Sequence, residues 1–321
     1  MNKPLILQIS IPFCVKHCSF CSYPYCTYEP RTVNAYTQAL RKEIQGCAGE
    51  FDDYIVCAVS IEGGSPALLG ADALYHVLMD VKKSFSCSED VQVSLQTMPG
   101  DYSRALMEKM RDAGVNRWII GLQTARRSEH DLLERPYKYE AITMADMAIR
   151  TFDPRSLSFD LLVGIPGQTC KSLEQTLSRC LYYAPEHMTV YPLHLPANCR
   201  MEEQIRSGVH PGIDGDCRAE LMTFAGNWLT ERGFRAYTRC DFAKPGFEDR
   251  YRVLSLQGCE RLGLGYHSSS WLDGVFWTTG HSLQEYIEHS DDIETIAVDM
   301  IRPDEESLSR IYDPLQIRLD S

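Results

Sequence analysis

Cys14, Cys18 and Cys21 follow the apolar run 5–11 directly, in the spacing C-x3-C-x2-C. On a tight loop that spacing can bring three thiolates onto one iron–sulfur cluster while leaving a fourth iron without a protein ligand. Sulfur donors select soft metals: zinc, copper or iron–sulfur. A structural zinc site needs a fourth ligand to close its tetrahedron, for which His17 and Cys26 are the candidates. A ligand lodged inside the x3 spacer, as His17 is, points away from a common centre in most loop geometries. An iron with an open position is a reaction site, so the trio predicts a catalyst.

With 321 residues the chain can bury a full core without disulfide staples, so size leaves no structural need for its thirteen cysteines. There is no basic segment followed by an apolar stretch at the N-terminus and no run of about 18 apolar residues, so neither a signal peptide nor a membrane span is expected. The expected location is the cytoplasm, where thiols stay reduced and a close cluster reads as a metal site. The other ten cysteines read as small buried hydrophobes. Cys26, on the trio's own loop, also reads as a spare ligand or redox-labile thiol. A formal charge of −12 argues against a nucleic-acid groove. It leaves room for an acidic small molecule held by local arginines.

Such a loop must be carried to a rim by regular elements. Strands are expected at 5–11, 55–61, 91–96, 117–122, 157–163 and 188–193, with helices near 33–46, 71–84, 103–113, 139–150 and 172–183. Six β–α units in a row predict a parallel sheet with crossover helices. Six is fewer than the eight of a closed barrel. The expected fold class is therefore α/β, a partial (β/α)6 TIM-like barrel with a smaller C-terminal α+β extension. The barrel is placed at 1–198, the extension at 199–290 and an acidic tail at 291–321. Within the extension we expect a helix at 216–231, a strand near 236–242, a turn at Gly263-Leu264-Gly265, a hairpin over 269–279 and a helix at 283–289.

Chemistry in such a fold collects where the strands end. The trio follows the first strand, Glu62-Gly63-Gly64-Ser65-Pro66 the second, Gln96-Thr97 closes the third, Gln123 ends the fourth and Asp160 lies in the fifth. The polar residues converge on one rim.

The stretch I-P-F-C-V-K-H-C-S-F-C at 11–21 resembles the radical S-adenosylmethionine superfamily. More narrowly, it resembles the oxygen-independent coproporphyrinogen III oxidases and their heme-chaperone relatives. Two further stretches carry the likeness: D-L-L-V-G-I-P-G-Q-T at 160–169, and D-A-G-V-N-R at 112–117 followed by G-L-Q at 121–123. The resemblance implies a [4Fe–4S] cluster on Cys14, Cys18 and Cys21, whose remaining iron is chelated by S-adenosylmethionine. An electron from the cluster then cleaves a carbon–sulfur bond to give a 5′-deoxyadenosyl radical. The cofactor does the hard chemistry and the protein positions it.

It further implies that Phe20, Gly63, Gly64, Ser65, Gln96, Gln123, Arg135 and Asp160 contact the cofactors. Gly63 and Gly64 would let the backbone approach the methionine amino group. Gln123, Arg135 and Asp160 match positions that hold ribose and carboxylates, and Phe20 would pack beside cluster and adenine. The implied partners are a small-molecule substrate, in these relatives a tetrapyrrole, and a reducing protein such as flavodoxin or ferredoxin.

Several positions depart from the family's pattern. Gln8 stands where tyrosine is usual, Glu62-Gly63-Gly64-Ser65-Pro66 replaces Gly-Gly-Gly-Thr-Pro, and Gln96 replaces a glutamate. Tyr23 stands where the oxidase branch has a further cysteine, as in the chaperone branch. Arg250-Tyr251-Arg252-Val253-Leu254-Ser255 replaces the chaperone branch's H-N-x-x-Y-W, leaving His267 as the candidate heme ligand. The chain also stops before the relatives' further helical domain, so part of the barrel's cover is expected to be missing or supplied by a partner. Three functions compete: radical chemistry on a tetrapyrrole-like or other large substrate, methyl transfer using two S-adenosylmethionine molecules, and heme carriage with little turnover.

Overall fold

Leu5, Ile6, Leu7, Ile9 and Ile11 are all fully buried, so the first strand has no solvent face. A strand covered on both sides belongs in a parallel sheet wrapped by helices. The computed structural model describes every residue except 1, 22, 144–155, 198, 213 and 305–321. In it the chain order of strands is β1 (Lys3–Ile11), β2 (Phe13–Cys14), β3 (Cys26–Thr27), β4 (Tyr54–Gly63), β5 (Cys87–Thr97), β6 (Arg117–Gln123), β7 (Leu157–Val163) and β8 (His187–Pro192). Then come β9 (Arg235–Ala236), β10 (Asp241–Ala243), β11 (Glu260–Leu264), β12 (Ser269–Leu272), β13 (Val275–Thr279) and β14 (Ala297–Ile301). Strands β1, β4, β5, β6, β7 and β8 are parallel neighbours in sequence order. This is the expected six-stranded unit. Among the described residues the sheet does not close: it runs from β14 at one edge to β9 at the other.

The crossover helices form where their caps and apolar stripes dictate. Helix α1 (Pro30–Gly46) has proline in its first turn and Glu29 as N-cap, accepting from the Thr32 N–H. It buries Tyr36, Leu40 and Ile44 against the sheet. Helix α2 (Ala71–Ser84) and α3 (Arg104–Asp112) follow β4 and β5. Helix α4 (Arg127–Leu133), absent from the sequence reading, follows β6 and ends on Glu134 in the left-handed region, φ 51°. Of the helix expected at 139–150, residues 141–143 are helical and the remainder lies outside the described residues. Helix α5 (Cys170–Leu181) carries a Thr169–Ser172 capping box.

Beyond β8 the structure corrects two expectations. The segment 236–242 is not one strand. Thr238 Oγ1 accepts from the Asp241 N–H and donates to the Asp241 carboxylate, which builds a tight turn between β9 and β10. Gly263-Leu264 is no turn either: it lies in β11, which pairs parallel with β1, Gln8 opposite Gly263. Its glycine is required by contact, since a Cβ on Gly263 would sit 2.6 Å from the Ser269 carbonyl. In the acidic stretch beyond 290, β14 pairs antiparallel with β13, and 305–321 lie outside the described residues. Helices α6 (Arg200–Arg206) and α8 (Arg250–Leu256) were likewise not anticipated, whereas α7 (Gly215–Thr230), the β12–β13 hairpin and α9 (Leu283–His289) match their expected ranges closely.

One buried charge ties the later segment to the barrel. Glu43 of α1, 3% exposed, accepts from the Tyr286 hydroxyl of α9 at 2.6 Å and from the Gly265 N–H at 2.8 Å. Burial pushes its carboxyl up to about 7, with the two donors pulling the other way. A carboxyl raised in the folded state contributes stability that is fully present below the unfolded value and is lost as pH rises through about 7. Glu43→Gln is therefore expected to remove a stability loss of roughly 3 kcal/mol between pH 5 and 8, read from urea unfolding across that range.

Candidate active site

The cysteine loop leaves β1 at the sheet's C-terminal rim and is pinned from several sides. Phe13 and Cys14 pair with Cys26 and Thr27 as the small parallel ladder β2–β3. The Ser19 N–H donates to the Leu133 carbonyl at 3.2 Å and the Ser19 hydroxyl to the Leu132 carbonyl at 3.0 Å. The Met201 N–H donates to the Ser19 carbonyl at 2.9 Å. The otherwise unanticipated α4 and α6 thus act as the loop's buttresses.

Gly63 and Gly64 close the other side. The N–H groups of Gly64 and Ser65 donate to the Ile11 and Phe13 carbonyls, both at 2.8 Å. A Cβ on Gly63 would lie 2.7 Å from the Ile11 carbonyl oxygen and 2.9 Å from the Tyr23 hydroxyl, and φ there is +121°. A Cβ on Gly64 would collide with the Phe13 carbonyl and stand 2.8 Å from Cys14 Sγ. Both glycines therefore let the cysteine loop itself approach the end of β4.

All three thiols face one cavity of about 420 Å3. Phe20, Gly63, Gly64, Gln96, Gln123, Arg135 and Asp160 share its wall. Ser65 does not. It is 2% exposed and its hydroxyl points to the Asp101 carboxylate at 3.3 Å, away from the cavity. Phe20 combines two tasks, since it lines the cavity and packs on the small apolar cluster of Leu133, Leu162, Ile165, Leu193 and Met201.

The polar groups in this wall are held but incompletely satisfied. Arg135 donates from Nη2 to the Gly121 carbonyl at 2.7 Å and from Nη1 to Cys18 Sγ at 3.3 Å, and its Nε is buried without a partner. Gln123 has φ 67°, an uncommon conformation for a side-chain-bearing residue, and its Oε1 is buried without a donor. Unpaired buried polar atoms are rare and call for a ligand or ordered water. Asp160 is 6% exposed, and burial, helped by nearby Asp241, pushes its carboxyl up to about 7.

Burial, then the neighbouring Cys18 and Cys21, pushes Cys14 up to about 12, and burial raises Cys21 as well. Bound iron would supply the positive charge that lets them ionise. Among the described residues no three His, Cys, Asp or Glu side chains converge on a single ion. A multi-iron cluster does not ask for that, because each thiolate ligates its own iron. The donor chemistry, the shared cavity and the orphaned Gln123 and Arg135 atoms fit such a group.

Beyond the contacts expected from the sequence, Tyr23, Glu62 and Tyr191 are among the residues that also line the cavity. Tyr23 bonds Ser10 through their hydroxyls at 2.6 Å. Glu62 accepts from Gln8 Nε2 at 2.5 Å and from the Ser60 hydroxyl at 3.3 Å. Gln8 and Glu62, which depart separately from the family's pattern, are therefore one interaction. That paired departure was the available signal.

The sequence profile of the Radical SAM superfamily matches residues 9–180. The heme chaperone HemW of Synechocystis is 25% identical over 277 residues, covering 84% of this chain and 67% of that protein. The bovine radical S-adenosyl methionine domain-containing protein 1, mitochondrial, is 30% identical over 262 residues, covering 81% of this chain and 59% of its own length. Among solved structures, the radical SAM enzyme coproporphyrinogen III oxidase (HemN) from Escherichia coli superposes with a TM-score of 0.82 at 23% identity, over 98% of this chain and 75% of the other. That last likeness speaks for the fold.

Proposed function

Because the chain belongs to the radical S-adenosylmethionine superfamily, we propose that it binds a [4Fe–4S] cluster on Cys14, Cys18 and Cys21 and cleaves S-adenosylmethionine reductively, as a relative of the HemN and HemW proteins. The observation that carries this reading is the convergence of the three thiols, Gln123, Arg135 and Asp160 on one cavity of about 420 Å3. When bound and reduced, by a flavodoxin- or ferredoxin-like donor, the cluster supplies the electron that breaks the sulfonium carbon–sulfur bond and yields a 5′-deoxyadenosyl radical.

The chain's own residues prepare that event. The Arg135 guanidinium is anchored on Cys18 Sγ and the Gly121 carbonyl, and its unpartnered Nε offers a charge-assisted donor to the methionine carboxylate. Gln123 Oε1 accepts from a ribose hydroxyl, satisfying an atom that has no donor within the protein. Asp160, at the cavity's inner end, accepts from the ribose in its charged form or donates in its neutral form. Phe20 and the apolar cluster beneath it exclude water from the reacting bond.

Arg135→Gln is expected to weaken S-adenosylmethionine binding about tenfold to a hundredfold, the usual cost of losing a hydrogen bond to a charged group. Equilibrium dialysis with labelled cofactor on the reconstituted protein measures it.

A second reading, heme carriage, is favoured by the heme chaperone name borne by relatives such as that of Synechocystis. His267, in the left-handed region at φ 62° and partly exposed, follows β11 beside Tyr266, whose carbonyl accepts from Ser10 near the loop. Anaerobic reconstitution, reduction with dithionite and product analysis with and without hemin separate the readings. Accumulation of 5′-deoxyadenosine without hemin binding leaves radical chemistry alone, and S-adenosylhomocysteine marks methyl transfer. Absence of 5′-deoxyadenosine from fully loaded protein overturns the main reading.

A further inference from the structure

Behind the cofactor cavity, inside the barrel, lies a second chamber of about 450 Å3. The two share Glu62, Gln96, Asp160 and Tyr191 as common wall, so a molecule in the inner chamber lies next to whatever the outer cavity holds. We propose that this chamber is the substrate pocket and that it takes a small organic carboxylate gripped by Arg252 and Arg117. The proposal rests on the reading above that the outer cavity generates the radical.

Its lining decides the class of ligand. Apart from Ile119, Phe276 and two tyrosines, the walls are polar or charged. A flat macrocycle wants broad apolar faces, whereas small-molecule pockets of roughly 300–1,000 Å3 are read by a few convergent polar groups. Here those groups include three arginines, Arg117, Arg252 and Arg261, rising from the floor and side of the barrel.

Arg117 is the first residue of β6, at the end of the strand away from the cysteine loop, and its side chain is 1% exposed. It donates from Nη1 to the Ser156 hydroxyl at 3.2 Å and the Phe247 carbonyl at 3.3 Å. Its Nε stands 3.6 Å from the Asp249 carboxylate, and neither Nε nor Nη2 has a hydrogen-bond partner. Leaving a buried guanidinium so underused is costly unless a ligand completes it.

Arg252, on α8 across the chamber, donates from Nη2 to the Tyr191 hydroxyl at 3.0 Å and lies 3.7 Å from Asp241. About a quarter of its side chain, 27%, stays accessible where it borders the chamber. Asp241 is in turn engaged by Thr238, and Asp249 caps α8 by accepting from the Arg252 N–H. The other two acids in the wall are also engaged: Glu62 accepts from Gln8 Nε2, and burial holds the Asp160 carboxyl toward its neutral form. A planar fork that shares a chamber with an orphaned guanidinium is suited to a carboxylate.

The test uses the whole 321-residue chain, free of cluster, with thermal melting and calorimetric titration against succinate and against glutamate, and with succinamide and sodium sulfate as comparisons. We expect at least one of the two acids to bind saturably and raise the melting temperature while succinamide and sulfate do not. Arg252→Gln, chosen because it borders the chamber and need not unfold the barrel, should weaken that binding at least about tenfold. Arg252→Lys should restore part of it.

The proposal is overturned if neither acid binds, if succinamide or sulfate does as well (an adventitious ion only), or if Arg252→Gln binds unchanged. The readout requires neither cluster nor S-adenosylmethionine. Retained carboxylate binding in a protein that makes no 5′-deoxyadenosine sinks the radical reading alone, and the converse result sinks the chamber alone.

Discussion

Cys18→Ala is expected to yield a folded chain that retains almost no cluster iron and makes no measurable 5′-deoxyadenosine. The loop around it does not depend on the thiol, since Ser19 is tied through its backbone and hydroxyl to Leu132, Leu133 and Met201. The metal does depend on it. Losing an outer-shell partner of a metal ligand typically costs 10–100-fold in affinity or activity, and losing the ligand itself should exceed that. Iron analysis and anaerobic product assay on the reconstituted variant measure both. Cys47→Ala is the matching control: that thiol is 3% exposed at the end of α1, in the core. It should cost roughly 1 kcal/mol of stability and leave the iron content unchanged. Equal iron loss in the two variants, or full iron in Cys18→Ala, would remove the trio's special role.

Gly64→Ala is expected to have the next largest effect, although the added group is a single methyl. It would press on the Phe13 carbonyl and stand 2.8 Å from Cys14 Sγ, and neither can retreat freely. Phe13 is fully buried against Tyr36, and β2 is held to β3. Overpacking of this kind costs about 1–3 kcal/mol, and relief by moving β2 would carry Cys14 out of line with the other two thiols. Urea unfolding should therefore show the destabilisation, and iron analysis a fall in cluster occupancy. Gly46→Ala, where nothing lies within 4 Å of the new Cβ, should be neutral or stabilising by up to about 1 kcal/mol. If Gly64→Ala matched it in both measurements, the close approach of β4 to the loop would not matter.

Much of the barrel could be read from the chain because its signals are local. Runs such as Leu157–Val163 are buried at every position and alternate: Leu157, Phe159, Leu161 and Val163 join the apolar core, while Ser158 and Asp160 face the barrel interior. Helices with strong boundaries, such as Ala71–Ser84, announced themselves by apolar spacing. The short helices α4, α6 and α8 carry only about two turns each, too few for periodicity to stand out from the surrounding loops. Gly263 misled because a glycine required by a neighbouring strand's backbone looks, in sequence, like one required by a turn.

The site divides along the same line. The cysteine spacing and the glycine pair declared a metal loop and a tight approach without any fold, because the spacing of ligands on one short loop and the absence of a side chain are properties of adjacent residues. Ser65 shows the limit: its place in a motif suggested a cofactor contact, and its hydroxyl turns instead to Asp101. The pairing of Gln8 with Glu62, the orphaned nitrogens of Arg117 and the facing of Arg252 with Tyr191 came only with the tertiary structure. Those contacts join residues tens to hundreds of positions apart, and which of them share a barrel interior is decided by strand order and register, which no local pattern encodes.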